Sequence, residues 1–396
     1  MPVMESKDPS ETTFSFASLA ATLSHQVQVC YPPDKAPARR DAHPKHHGCV
    51  RATFTVHSKL DESLQRGVFI PGKSYPALIR FSNAFEVRHD LMIDARGMAI
   101  KLLRVEGRRV SLPDLEGKAP EMLEEGVDTQ DFLLVTHSEF FSRTAAEFVR
   151  IVSAIIKHGA SFKIAFAFVS LKPFRIAFRN LRAFALTMRL TSNLLFVTYF
   201  SQTPYSMGEG DDRAVRQAAK FCARPKQHPS LLQRLRFYLL VLVSRVHPTK
   251  ATENLLRNSL SRYLAKDPAT FEFCVQLRKD AAAMPLNDAT KRWSTRASRY
   301  EPVATIRIHK DPKYDGEGSA KFIESRLQLG ERLSYTPWHA LEAHRPLGSI
   351  NEARLFVYAH VSQTRSRMNE TNAHIPPEEF SVPEIRRDES PINSAV

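Results

Sequence analysis

Cysteine is sparse in this 396-residue chain and it is scattered: Cys30, Cys49, Cys222 and Cys274 form no Cys-x-x-Cys pair. That spacing argues against a disulfide framework or a structural zinc ribbon, and it suits free thiols in a reducing compartment. Long uncharged runs are missing too. The most apolar stretch, Leu231 to Arg245, is broken by Arg234 and Arg236, and the uncharged run from Phe237 to Ser244 is far too short to span a bilayer. The opening residues, Met1 to Asp8, mix charges and lack an apolar core with a small-residue cleavage site, so no secretory leader is expected and the cytoplasm is the default location. No helix-turn-helix, finger or RNP-like pattern accompanies the basic residues, which ranks nucleic acid low among partners.

What is present is enough for a large core, since 43% of residues are hydrophobic. The net charge of +14 calls for an anionic partner, whether an anionic membrane surface or a carboxylate-bearing ligand. Short apolar runs punctuated by turn residues read as strands: Val50 to Val56, Ala77 to Asn83, Ala95 to Leu103, Asp131 to Val135, Phe271 to Leu277 and Val303 to Ile308. Their number and shortness predict an antiparallel sheet or barrel. Residues 1–38 read as an uncommitted arm with one apolar segment, Phe14 to Leu23, and 366–396 as a tail. Between them, 39–365 form the main domain, interrupted at 145–265 by a largely helical, basic insertion.

Within that insertion Lys172, Arg175, Arg179, Arg182 and Arg189 keep one phase of a 3.6-residue period, and Phe174, Phe178, Leu181, Ala185 and Met188 another. Such a basic amphipathic helix suits the surface of an anionic membrane, although it also describes a helix packed on a barrel with a solvated basic face. Upstream, His43, His46 and His47 crowd the entrance of the first strand near Cys49. Pro44 breaks any helical register and no second ligand cluster is visible, so the stretch reads as a solvated, His-rich turn rather than a zinc site.

The chemistry concentrates near the end. From Asn351 to Met368 there is no Gly or Pro, which predicts a helix with Arg354 and Tyr358 one turn apart on one face. A guanidinium beside a phenol favours the phenolate, a hard anionic ligand for ferric iron, and tyrosinate is one known axial ligand of haem. Ionising an ordinary phenol at neutral pH needs ~3 pK units, roughly 4 kcal/mol, which iron and arginine together can supply.

These pieces and their order resemble the haem catalase family, specifically a shorter catalase-related branch without an extra C-terminal domain, in patches from about Arg40 to Arg365. Arg40-x-x-His43-Pro44-Lys45 is similar to the family's Arg-x-x-His-Ala-Lys, Arg80-Phe81-Ser82 to its Arg-Phe-Ser, and Asp94-Ala95-Arg96-Gly97-Met98-Ala99-Ile100-Lys101 to its Asp-Pro-Arg-Gly-Phe-Ala-Val-Lys. Thr129 to Phe140 resembles the distal strand, Tyr199-Phe200-Ser201-Gln202-Thr203-Pro204-Tyr205 the segment opening the second half of the barrel, and Arg354-Leu355-Phe356-Val357-Tyr358 the proximal Arg-Leu-Phe-Ser-Tyr.

The resemblance implies an α+β fold, a catalase-like antiparallel β-barrel of about eight strands enclosing ferric haem b, with a helical insertion and C-terminal helices. It implies Tyr358 as iron ligand supported by Arg354, His43 as the distal acid/base oriented by Ser82, and Arg40, Arg80 and Arg365 for the haem propionates. Phe140 would stack on the porphyrin. The substrate would be hydrogen peroxide or an organic hydroperoxide, with an organic donor as second substrate; homo-oligomers fit the resemblance. Two departures bear on this reading. Where the family has a distal asparagine, Val127 or Asp128 stands here, which tilts the expectation from dismutation of hydrogen peroxide towards peroxidase chemistry. One extra residue precedes the strand, so His47 or His46 competes with His43 for the distal place. A haem- or lipid-binding protein with little turnover, and conversion of fatty-acid hydroperoxides, are the alternatives.

Overall fold

The computed structural model describes residues 9–30, 37–40, 42–84, 87, 89–110, 128–158, 190–208, 217–246, 250–370 and 375–380. Among the described residues nine strands form one sheet: β1 (His46–Val56), β2 (Ser74–Asn83), β3 (Arg96–Leu103), β4 (Thr129–Val135), β5 (Tyr199–Phe200), β6 (Tyr205–Met207), β7 (Gln217–Pro225), β8 (Ala269–Leu277) and β9 (Glu301–Ile308). They follow the order β5-β4-β3-β2-β1-β9-β8-β7-β6, all antiparallel, and a further pairing of β5 with β7 closes eight of them into a barrel. The helices are α1 (Pro9–Cys30), α2 (Ala145–His158), α3 (Leu231–Val246), the single turn α4 (Lys250–Glu253), α5 (Leu255–Leu264), α6 (Ser319–Arg332) and α7 (Ser349–Met368). Among the described residues no helix is long and apolar enough to cross a membrane.

Alternating side chains of the strands fill the barrel's interior. Phe54, Phe69, Phe132, Phe221 and Phe273 meet at its centre, with ring centroids of Phe132 and Phe273 4.9 Å apart and of Phe54 and Phe273 5.2 Å apart. Aromatic rings at these distances leave no room for a macrocycle. The expectation that the barrel encloses the cofactor is therefore corrected: any large ligand must lie outside its wall. The same strands are apolar on their outer faces as well, where Leu78, Leu103 and Cys49 pack against Leu329, Leu333 and Tyr335. A sheet buried on both faces gives near-continuous apolar runs, so the sequence pattern alone does not tell inside from outside.

Three further differences concern the segments around the barrel. From Pro9 to Cys30 the arm is helical: Leu19, Leu23 and Val27, four residues apart, bury one face of α1 against Val357 and Val361 of α7. The supposed helical insertion supplies β5, β6 and β7, so it completes the barrel rather than interrupting it. The basic helix expected around Lys172 to Arg189 lies outside the described residues. Part of the tail turns back: Glu379 accepts from Arg326 and from Arg51 Nε at 3.0 Å, tying residues 377–380 to β1 and α6.

Candidate functional site

Between the outer face of β2, β3 and β4 and the helix α7 lies a cavity whose empty space, open mouth included, is about 900 Å³. Strand alternation sets one wall: Arg80 and Ser82 from β2, Gly97 and Ala99 from β3, Leu133 and Val135 from β4 all point away from the barrel's core. Helical spacing sets the other, where Arg354, Tyr358, Val361 and Arg365 recur every three or four residues along α7. Asn351 anchors the start of that helix, donating through Nδ2 to the carbonyls of Pro204 and Leu347 at 3.0 Å, while its own carbonyl accepts from Trp338 Nε1 at 2.7 Å.

His43 enters the cavity from the segment before β1. Its backbone is left-handed, φ 62°, an uncommon conformation for a residue with a side chain, and its N–H donates to the Ala84 carbonyl at 2.9 Å. Imidazole Nδ1 lies 3.0 Å from Ser82 Oγ. The ring rests on Gly97, where an added Cβ would stand 2.6 Å from Nδ1 and 2.7 Å from Cε1. Gly97 is thus the residue that makes room for His43. Burial first, then the guanidiniums of Arg80, Arg354 and Arg40, push the His43 pKa down to about 3. The imidazole is neutral at pH 7, with one nitrogen to donate and one to accept.

Arg40 from the segment before β1, Arg80 from β2 and Arg365 from α7 reach the cavity and share the carboxylate of Glu331 at the end of α6. Arg40 Nη1 is 2.9 Å from Glu331 Oε2, Arg80 Nη2 2.8 Å from Oε1 and Arg365 Nη1 3.3 Å from Oε2. Burial would raise Glu331, but Arg40 and Arg80 overcome it and hold the carboxyl well below its usual range. Arg40 is pushed below the ordinary arginine value, by burial and then by Arg365 and Arg80. Among the described residues Glu331 is the carboxylate that these three guanidiniums share, and their cationic heads gather at one end of the cavity.

Tyr358 lines the cavity from α7 and is half-buried. Arg354, one turn earlier, also lines it; Nη1 donates to Thr203 Oγ1 and Asn351 Oδ1, both at 3.3 Å, and the guanidinium carbon sits 5.8 Å over the Phe140 ring. Phe140 itself is not on the cavity's wall: it stacks on Phe141 with centroids 4.5 Å apart. Away from the stacking position expected of it, Phe140 packs with Ala289, Ile350, Phe148 of α2 and Arg354.

His46 and His47 do not line the cavity, and the solvated His-rich turn is corrected as well: both are buried. His47 Nε2 lies 2.7 Å from Asn83 Oδ1, and His46 Nδ1 lies 3.3 Å from Glu331. Their partners come from distant parts of the chain, so composition around Pro44 carries no sign of them. Among the described residues no group of three or more His, Cys, Asp or Glu comes together as a metal site.

Of the two residues expected at the distal asparagine, Val127 lies outside the described residues and Asp128 is exposed ahead of β4. The β4 side chains that face the cavity are Leu133 and Val135, the latter paired with Gly97, so the part of the wall that β4 supplies is apolar. Gln202, Ser334, Tyr335 and Ser362 also line the cavity and were not anticipated as site residues. Gln202 has a left-handed backbone, φ 60°, and its Nε2 donates to the Glu139 carbonyl at 2.7 Å. It lies inside the Tyr199-to-Tyr205 motif, the one signal that pointed to it.

Neither family models nor curated proteins match this chain. Solved structures do. A fungal catalase superposes with a TM-score of 0.60 at 16% identity, over 90% of this chain and 65% of its own. The chain has the catalase fold. Catalase A from Saccharomyces cerevisiae superposes with a TM-score of 0.59 at 14% identity over 91% of this chain, and a bacterial catalase with 0.59 at 15% over 89%. The aligned parts are 70% and 63% of those two neighbours, so this chain spans about two thirds of the length of the catalases it resembles.

Proposed function

We propose that this protein is a haem-dependent peroxide-cleaving enzyme of a shorter, catalase-related type, acting as a peroxidase on hydrogen peroxide or an organic hydroperoxide with an organic donor as reductant. One observation carries the reading: a single cavity holds the His43–Ser82 pair on the barrel wall and Tyr358 with Arg354 on α7. The residues present fit a haem. The guanidiniums of Arg40, Arg80 and Arg365, gathered at the cavity's wall, suit two propionates, and the apolar Leu133, Val135, Val357 and Val361 suit the faces of a porphyrin.

Tyr358 would hold the iron through its phenolate oxygen, with the Arg354 guanidinium one turn away to offset the negative charge. When bound, ferric haem b supplies a Lewis-acidic iron and a ring able to store oxidising equivalents. His43 works as general base and then general acid. Its neutral imidazole takes the peroxide's proton on the nitrogen that Ser82 does not hold, Nε2, and returns it to the departing oxygen, which leaves as water or alcohol. Ser82 fixes the ring's orientation and tautomer, and Gly97 lets the ring lie close to the wall. Leu133 and Val135 bring no hydrogen-bonding side chain to the bound peroxide. Support for a second peroxide as reductant is correspondingly weak, which favours an organic donor.

The test is peroxide-dependent oxidation of a chromogenic donor by haem-loaded protein, with oxygen release followed in parallel. His43→Ala is expected to lose turnover by roughly 10²–10⁴-fold while retaining haem, and His47→Ala to retain turnover in whatever fraction folds. Equal loss in both, or turnover that survives His43→Ala, contradicts the assignment.

A further inference from the structure

The helix α3 (Leu231–Val246) has two apolar faces and only one of them is used. Phe237, Leu240 and Val241 turn towards the body of the protein, partly or fully buried. On the opposite side Leu231, Leu235, Tyr238, Leu239, Leu242 and Val243 are between 52% and 75% exposed. Spaced three and four residues apart, they form one continuous stripe along four turns. A single exposed leucine needs no account, but a stripe of this length marks a surface that something covers.

Charge says what. At 100° per residue, the exposed Arg234 and Arg236 fall on the two borders of the stripe, one on each side. From Lys226 to Thr252 the chain has five Lys and Arg and no Asp or Glu. From Phe148 to Gly208 it has eight Lys and Arg and again no acidic residue. A second copy of the chain would set these cationic borders against one another with no carboxylate in the segment to pair them, so self-association through the stripe is opposed by its own charge. An apolar face framed by arginines has the chemistry of a helix lying in the plane of a lipid surface, with aliphatic stems following the stripe and guanidiniums reaching phosphates.

We propose that α3 docks this protein on an anionic lipid bilayer, its exposed stripe among the acyl chains and Arg234 and Arg236 at the level of the headgroups. The docking is peripheral and independent of what occupies the cavity between the barrel and α7.

Vesicle co-sedimentation of the full chain tests this, with pure phosphatidylcholine compared against phosphatidylcholine containing roughly a quarter phosphatidylglycerol. The protein is expected to partition onto the anionic vesicles, weakly onto the neutral ones, and to be released by raised salt. Leu235→Glu with Leu239→Glu should lower that partition by about tenfold or more with an unchanged thermal midpoint. Arg234→Glu with Arg236→Glu leaves the stripe intact and should abolish the preference for anionic lipid. Three results would overturn the proposal: no partition onto either vesicle, partition that both double variants retain, or a lipid-independent dimer that the leucine variant dissolves, which would assign the stripe to a second copy.

Discussion

Replacing Gly97 by alanine probes the part of the site that is most tightly built. The backbone there is not left-handed, so alanine carries no conformational penalty and the whole effect is contact. A Cβ would stand 2.6 Å from His43 Nδ1, 2.7 Å from Cε1 and 2.8 Å from Ser82 Oγ, whereas ordinary contact begins at 3.4 Å. The imidazole and the Ser82 hydroxyl must therefore both shift, the ring by about 0.8 Å, out of the geometry of their 3.0 Å contact. Because the obstructing atoms belong to side chains at a cavity wall, the barrel itself can survive, at a cost of about 1–3 kcal/mol for overpacking. Catalysis should suffer far more, since a misplacement of this size costs on the order of 10²-fold in rate. The assay is donor oxidation by haem-loaded Gly97→Ala beside wild type, with thermal unfolding and the absorption spectrum as controls. A variant that folds, binds haem and keeps more than about half its turnover refutes the argument that His43 acts from where Gly97 admits it.

Three further outcomes are expected from the geometry. His43, His46 and His344 are held neutral by burial, at pKa values of about 3, 4 and 4, whereas unfolded histidine titrates near 6.5. His344 in addition accepts the Val68 N–H on Nε2 at 3.1 Å, a bond its protonation breaks. Below pH 6.5 the unfolded chain binds more protons, so stability should fall as pH drops towards 4, by up to ~1.4 kcal/mol per pH unit per histidine, and level off below about pH 3; urea unfolding across that range measures it. Glu331→Gln leaves three guanidiniums without their shared carboxylate and should destabilise the haem-free protein by ~3–5 kcal/mol, with a larger haem-induced rise in melting temperature than wild type shows. Phe140→Leu should leave the haem absorption bands where they are, because that ring packs on Phe141 outside the cavity; a shifted spectrum would return Phe140 to the porphyrin's edge.

Much of the barrel was readable from the chain because β1 to β4, β8 and β9 alternate or run apolar with β-branched and aromatic residues, the composition a pleated, buried surface selects. Of the three strands that escaped, the short β5 and β6 and the nine-residue β7, the last is the instructive one. Gln217-Ala-Ala-Lys-Phe-Cys-Ala-Arg-Pro225 has no β-branched residue, and it is a strand because β8 on one side and β5 on the other supply its hydrogen bonds. That is a tertiary cause, invisible locally. The cavity's position was hidden for another reason: with both faces of the sheet covered, Leu78 and Ile79 look alike in sequence although one points outwards and the other into the core. Arg354 and Tyr358 were legible as one helix face, and the cavity lies on that face. The burial of His46 and His47 was not legible, since Glu331, Asn83 and Asp90 approach only in the folded chain.

The central claim is that a phenolate from α7 holds iron in the cavity between that helix and the barrel. Its most direct test is the absorption spectrum of purified ferric protein, wild type beside Tyr358→Phe. Wild type should show the charge-transfer pattern of a phenolate-ligated high-spin haem, and the variant should lose it with its fold intact. A haem spectrum identical in both proteins, or no haem retained by the wild type after reconstitution, would contradict it.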